Sequence, residues 1–377
     1  WLKMGCGAIG AKGRYAKPLS PTSCTVPRLA LYELRCLKET EERMPSYEES
    51  SFSIDMVETT RSPPTSLADV LQRSVADLEL QDLITATLAA CARVSRKIRT
   101  ALVNAVGTMN TFGDAQLTVD VIADRVLFSF AESCSLVFQA SSEEKPELRT
   151  IHSSGRFVLC WDPLDGSSIV DNNWSVGTIV GVWDRHTGLL GAKGRDQLTS
   201  IMVQYGPRAS ALVALDDGVY EMTLVNGDVW ICTRERIRIE KTTKIFSPAN
   251  LRATQDLPGY ASLFDYWIQE RYTLRYTGGL VPDVYQQFTK RQGVFANPTS
   301  NKAKAKLRLS FEAAPVALLV EKAGGKSSDG ISGGSLLDVV IESVDQRTPL
   351  CVGSAAEVAR FNTMVLAGAA LDRSVGP

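Results

Sequence analysis

From Leu67 onward the apolar positions fall on a helical stripe. Leu67, Val70, Leu71, Val75 and Leu78 predict an amphipathic helix. Ser66 stands before it and Asp69 three positions later, a capping-box arrangement with Asp in place of Glu. A second helix is predicted over about 80–106. A third, over 117–130, carries Leu117, Val121, Ile122, Val126 and Phe130 on one face. The pattern then changes. Short apolar, β-branched runs at 157–160, 176–183, 200–205, 211–215 and 220–224 predict strands. Beyond about 230 helices and strands alternate, with helices expected over 260–271, 282–292 and 311–322. This order predicts a layered α/β or α+β fold with a boundary near residue 243. Neither an internal repeat nor a low-complexity tract interrupts it.

The first 65 residues lack this patterning. Residues 1–38 hold seven Lys or Arg and one acid, Glu33, a balance that suits an organellar transit segment or a disordered leader. Met4, Met44 and Met56 are possible starts. Residues 39–65 are polar and rich in Pro and Ser, and are expected to be a linker. For the whole 377-residue chain, 44% hydrophobic and 22% charged content is ordinary for a globular protein with a sizeable core. A net charge of -1 gives no electrostatic case for nucleic acid or an anionic membrane surface. No apolar run approaches the roughly 20 residues of a membrane span. The eight cysteines include no C-x-x-C pair, so neither a zinc ribbon nor a disulfide scaffold is indicated. Only two histidines exist, His152 and His186, and His186 reads as a loop residue in DRHTG. A metal here must therefore be held by oxygen.

Acids gather where that metal would need them. WDPLDGSSIVDN, residues 161–172, follows a strand-like run and places Asp162 and Asp165 three apart, with Pro163 between them. Glu143 and Glu144 form an adjacent pair. Asp114 and Asp120 flank the start of the third helix. Glu312 lies inside the apolar segment LRLSFEAAPVALLV, where a carboxylate is costly unless something positive meets it. A hard cation such as Mg²⁺ takes carboxylates and phosphate oxygens together, and two such ions can clamp both oxygens of a phosphoryl transfer. Gly166-Ser167-Ser168 adds consecutive backbone N–H groups at a helix start, an anion nest. Simpler readings stand beside this one. D-P-x-D-G is also plain turn chemistry, Glu143-Glu144 can be a solvated pair, and Glu312 can be a salt-bridged helix position.

WDPLDGSS resembles the signature of the lithium-sensitive, Mg²⁺-dependent sugar phosphatase superfamily, which includes inositol monophosphatases and fructose-1,6-bisphosphatases. FGDAQLTVD, SSEE, SPANLRAT, YTLRYTGGLVPDV, KAKAKLRLSFEAAP and EKAGGKSSDG narrow the resemblance to its sedoheptulose-1,7-bisphosphatase branch, over about residues 67–365. The resemblance implies a sandwich of alternating helix and sheet layers. It implies an N-terminal phosphatase domain over 66–243 with the metal loop, and a C-terminal sugar-phosphate domain over 244–377, after a 1–65 leader. Glu143, Asp162, Asp165, Glu312 and the Leu164 carbonyl would hold two or three Mg²⁺ ions, and Asp114 would help with an additional one. Asp120 and Glu144 would orient and deprotonate the attacking water. Ser167 and Ser168, with Arg308, would hold the 1-phosphate. Asn250, Tyr276 and Lys306 would hold the distal phosphate, with Arg275 reaching in from a neighbouring subunit of a homodimer or homotetramer. Gly278, Gly279 and Leu280 would offer backbone groups to the sugar.

The implied reaction is hydrolysis of the 1-phosphate of sedoheptulose 1,7-bisphosphate. Fructose 1,6-bisphosphate or dual specificity is the alternative, and a silent sugar-phosphate sensor a further one. The compartment implied is the plastid stroma, with the cytoplasm as alternative. Two departures from the pattern stand out. Val103 and Thr108 occupy the positions of a redox-switch cysteine pair in photosynthetic relatives. Ala253 and Ala296 stand where fructose-1,6-bisphosphatases carry tyrosines that touch the distal phosphate, and both changes are expected to enlarge that end of the pocket.

Overall fold

The computed structural model describes residues 65–109 and 115–366, which all belong to one compact unit. Helix α1 (Leu67–Ser74) opens with the expected capping box: the Ser66 hydroxyl accepts from Asp69 N–H, and Asp69 accepts from Ser66 N–H in return. Helix α2 (Leu78–Ile98) ends eight residues before the expected limit of 106. Its apolar stripe stops at Ile98, and the following Thr, Val and Gly residues are weak helix formers. Strands β1 (Ala105–Met109) and β2 (Ala115–Leu117) form a small antiparallel ribbon, and helix α3 (Thr118–Ser133) follows.

An eight-stranded sheet comes next. It contains β3 (Val137–Ser142), β4 (Arg149–Thr150), β5 (Phe157–Asp165) and β6 (Val176–Asp184), with a single helical turn α4 (Ser167–Val170) after β5. β7 (Gln197–Tyr205), β8 (Ala209–Leu215), β9 (Gly218–Val225) and β10 (Val229–Arg234) continue it as a meander. The strand order is β10-β9-β8-β7-β6-β5-β3-β4, antiparallel except for β3 beside β5. The central strands are buried on both faces, so they read as continuous apolar runs.

The second sheet has the order β12-β11-β13-β15-β14. Its strands are β11 (Ile245–Pro248), β12 (Thr273–Leu274), β13 (Val294–Asn297), β14 (Lys326–Ser328) and β15 (Leu350–Gly353). Helices α5 (Pro258–Gln269), α6 (Leu280–Lys290), α7 (Ala314–Lys322) and α8 (Ala355–Phe361) pack with it. The expected helix over 311–322 begins instead as a π turn, Leu309–Ala313, and becomes α-helical at Ala314 beside Pro315.

Strand alternation shows how the layers stack. Phe157, Leu159 and Trp161 point into one apolar cluster with α1, α2 and α3, whereas Val158 and Cys160 point into another with α6 and α7. Phe295 and Val352 of the second sheet share that middle cluster. Val294, Ala296 and Cys351 face a third, formed with α5 and α8. The result is helix, sheet, helix, sheet, helix, the alternating sandwich that the resemblance implied.

Candidate active site

The strand β5 runs through the acids instead of stopping before them. Two positions three apart on a regular strand face opposite sides. Here β5 shifts register against β6 between Asp162 and Asp165: Asp162 pairs with Ile179 but Asp165 with Gly177. One extra residue in β5 forms a bulge at Pro163-Leu164, and it turns both carboxylates the same way. Pro163, which has no N–H to give to a ladder, suits that place. Its carbonyl accepts from the Thr178 hydroxyl at 2.8 Å, and the Tyr205 hydroxyl lies 2.8 Å from the same Thr178 oxygen.

Glu312 joins the pair from the far side of the chain. The π turn at 309–313 carries it, and its carboxylate accepts from Arg308 N–H at 2.6 Å. Asp162, Asp165 and Glu312 each offer an oxygen within 4.8 Å of the others, all buried. Burial, with the charge of Glu143 next in order, pushes Asp162 and Glu312 well above the usual carboxylate range. Burial lifts Asp165 to about 6, against hydrogen bonds from Val281 and Leu280 N–H at 2.6 and 3.0 Å. Those two donors open helix α6. They come close because position 177 is glycine: a Cβ there would lie 2.4 Å from Val203 O and from Val281 Cγ1. Glu143 is tied to β5 by its backbone, its N–H donating to Trp161 O at 3.0 Å, and its charge acts on Asp162 and Glu312. Crowded buried carboxylates with hard oxygen donors fit a divalent cation, which would remove the repulsion.

These acids line a cavity of about 400 Å³. Glu143, Leu164, Ser167, Ser168, Asn250, Tyr276, Gly278, Leu280 and Lys306 all border it. Gly166 adopts φ 94°, a left-handed turn that glycine makes without strain and that starts the Ser167 turn. Asn250 also has a structural duty, its Nδ2 donating to the carbonyls of Pro298 and Ala303 at 2.8 and 2.9 Å. Asp120 is buried at the first turn of α3 and accepts from Leu117 N–H at 3.0 Å. Burial pushes it up to about 7 against that hydrogen bond, with the charges of Glu144 and Glu143 adding to the rise.

Other expected residues stand elsewhere. Arg308 is buried and is not in the cavity wall: its Nη1 donates to Lys306 O at 2.5 Å and its Nη2 lies 3.8 Å from Glu143 Oε1. Gly279 sits behind the wall, between Pro282 and Ile169. Glu144 is half-buried beside Glu143. Arg275 is exposed and does not line this chain's cavity. Asp114 lies outside the described residues, as does the side chain of Thr108. Ala253 and Ala296 do not open the cavity, because both are fully buried in the apolar cluster of Phe246, Tyr260 and Trp267. The cavity gains no room from them.

Three residues escaped the sequence reading. Arg252 and Lys304 border the cavity beside Lys306. The alternation of Lys302, Lys304 and Lys306 in NKAKAK was the visible signal for Lys304. Asp283 is buried on α6 and accepts from Thr277 and Gly278 N–H at 2.7 and 3.1 Å, so it shapes the loop that brings Tyr276 and Gly278 to the cavity.

Residues 67–235 match the N-terminal domain of fructose-1-6-bisphosphatase and residues 239–366 its C-terminal domain. The chain belongs to the fructose-1,6-bisphosphatase family, metal-dependent phosphoric monoester hydrolases that act on sugar bisphosphates. Within it, a chloroplastic sedoheptulose-1,7-bisphosphatase of Spinacia oleracea is 44% identical over 314 residues, 82% of this chain and 80% of the relative. The Triticum aestivum counterpart is 46% identical over 302 residues, 78% of this chain and 75% of its own. A crystal structure of a presumed sedoheptulose-1,7 bisphosphatase from Toxoplasma gondii superposes with a TM-score of 0.76 at 47% identity, covering 81% of this chain and 99% of that one. The fructose-1,6-bisphosphatase of Leishmania major in its holo form gives 0.74 at 30% identity, covering 80% and 99%.

Proposed function

We propose that the protein hydrolyses the 1-phosphate of sedoheptulose 1,7-bisphosphate with Mg²⁺, giving sedoheptulose 7-phosphate and phosphate. The observation that carries this is one cavity bordered both by the buried Asp162–Asp165–Glu312 cluster and by the cations Arg252, Lys304 and Lys306. A sugar with a phosphate at each end meets both. The acids belong to 66–243 and to Glu312, and the cations to 244–377, so the two domains share the substrate.

Glu143, Asp162, Asp165 and Glu312, with the Leu164 carbonyl, would hold two or three ions. Bound there, Mg²⁺ would neutralise charge on the reacting phosphoryl group and on the oxygen that leaves. Ser167 and Ser168 would donate to the 1-phosphate. Arg308 would act from behind, its charge beside Glu143. Asp120 and Glu144 would orient the attacking water and take its proton. Gly278 and Leu280 would meet the sugar. Tyr276 and Lys306 would bind the 7-phosphate with Arg252 and Lys304, and exposed Arg275 would serve a neighbouring subunit of a homodimer or homotetramer. The chloroplastic relatives support a plastid stromal enzyme.

Phosphate release from sedoheptulose 1,7-bisphosphate and fructose 1,6-bisphosphate, each with and without Mg²⁺, tests the reading. We expect Mg²⁺-dependent release with a higher kcat/KM for the seven-carbon sugar. A six-carbon preference would assign fructose-1,6-bisphosphatase activity instead, and no release from either would favour a sensor.

A further inference from the structure

Asp124 carries no role in the site described above, yet it is 2% exposed and lies one helical turn beyond Asp120 on α3. Its two oxygens go to two different segments, the bend that follows β3 and strand β5. Oδ2 pairs with Lys145 Nζ at 2.5 Å, and Oδ1 accepts from Trp161 Nε1 at 3.2 Å. Both partners are chain neighbours of site residues. Lys145 follows Glu143-Glu144 directly, and Trp161 directly precedes Asp162.

The local backbone makes these links rigid. Lys145 N–H donates to Ser142 O at 3.1 Å and Ser142 N–H donates to Lys145 O at 3.2 Å. Glu143 and Glu144 are thus the two central residues of a turn closed at both ends. Glu143 N–H then donates to Trp161 O at 3.0 Å. The turn and the strand are tied in front by that bond and behind by Asp124. Phe128, one further turn along α3, completes the rear wall. Its ring meets Trp161 edge to face at 4.8 Å and lies 4.5 Å from Lys145 Nζ. Asp120, Asp124 and Phe128 therefore share one face of one helix. The first belongs to the site, and the other two grip the segments that carry Glu143, Glu144 and Asp162.

We infer that Asp124 is a positioning residue: through Lys145 and Trp161 it fixes the spacing between Glu143 and Asp162, and with it the affinity of the site for a divalent cation. Asp124 borders no part of the cavity and touches no reacting atom. A buried carboxylate is costly to keep. This one is answered by a half-exposed lysine that directly follows the site acids Glu143 and Glu144. Packing alone would be served as well by an apolar side chain among Phe128 and Trp161. The inference rests on the reading of Glu143 and Asp162 as metal ligands.

The test measures binding of Mn²⁺ alone, without substrate, by the loss of the free-ion electron paramagnetic signal. It is run on the wild type, Asp124→Asn, Lys145→Gln and the double variant, each with its thermal midpoint. Groups hydrogen-bonded directly to metal ligands typically contribute about 10-fold or more to metal affinity, and Asp124 acts one residue further out, so the low end applies. We expect Asp124→Asn to weaken Mn²⁺ binding by about 10-fold. We expect Lys145→Gln to weaken it too, and the double variant to bind no more weakly than Asp124→Asn, since the two residues act as one unit. KM for the bisphosphate should stay near the wild-type value while the Mg²⁺ concentration for half-maximal activity rises. A folded Asp124→Asn protein with wild-type Mn²⁺ affinity overturns the inference. If that variant does not fold, the double variant, in which amide meets amide, takes its place in the same measurement, and wild-type affinity there overturns the inference equally. Failure of the wild type itself to bind Mn²⁺ would instead remove the metal reading, and the inference with it.

Discussion

Arg252→Ala takes one guanidinium from a cavity that holds three cations, Arg252, Lys304 and Lys306. If these bind the 7-phosphate, each supplies a charge-assisted contact made equally in ground and transition states. Such bonds contribute about 1.5–3 kcal/mol. Arg252 and Lys304 are solvent-exposed, so water competes for them and the lower figure applies. A loss of about 1.5 kcal/mol is roughly a tenfold rise in KM. The kcat should hardly move, because uniform binding is what is lost. Removing Lys304 as well should raise KM by roughly another tenfold if the two contacts are independent. The control is sedoheptulose 1-phosphate, which keeps the reacting group and lacks the distal one. Steady-state kinetics on both sugars separate the effects: the wild type should have the poorer KM for the monophosphate, and Arg252→Ala should leave that value unchanged. An equal rise in KM on both substrates, or a fall in kcat at constant KM, would refute the placement of these cations on the distal phosphate.

Asp162→Asn should abolish turnover with the thermal midpoint retained, and full activity of the purified variant in Mg²⁺ buffer would remove Asp162 from the ligand set. In metal-free protein, Asp120 has its carboxyl raised from 3.8 to about 7, so the protonated form is favoured by folding. Its contribution to stability is full below about pH 4 and is lost as pH rises to about 7, about 4 kcal/mol in all. Asp120→Asn should therefore melt higher than wild type at pH 8 and not at pH 4, and calorimetry showing the reverse order would contradict the burial argument. Activity should differ little between oxidised protein and protein treated with reduced thioredoxin. Val103 packs against the core, and burial pushes the Cys91 thiol up to about 12 and that of Cys160 higher still, so neither supplies a reactive thiolate. A several-fold activation on reduction would point to another cysteine pair. Asp283→Asn leaves Thr277 or Gly278 N–H facing a donor, and should raise KM through the loop bearing Tyr276.

What the sequence determined by itself were the parts that depend on neighbours along the chain. Helix α1 and its cap, the start of α3, the central strands of the large sheet and the Gly166-Ser167-Ser168 turn all follow from periodicity, caps and turn chemistry within a few residues. The acids too were legible, because Asp162, Asp165 and Glu312 are carboxylates where apolar residues surround them. The four-residue strands β11, β13 and β15 were not, since a run that short shows no period that separates strand from helix. The tertiary structure decided how the acids meet. A one-residue bulge turns Asp162 and Asp165 to the same side, and a π turn delivers Glu312 from the second half of the chain. Gly177 admits the end of α6, whose N–H groups hold Asp165. It also decided which side chains reach the cavity. Arg308 is drawn inward toward Glu143, Ala253 and Ala296 are spent on an apolar cluster, and Arg252 and Lys304 come to the wall. Each of those outcomes is set by packing between layers distant in sequence, where a side chain's direction depends on the register and depth of elements that local pattern does not encode.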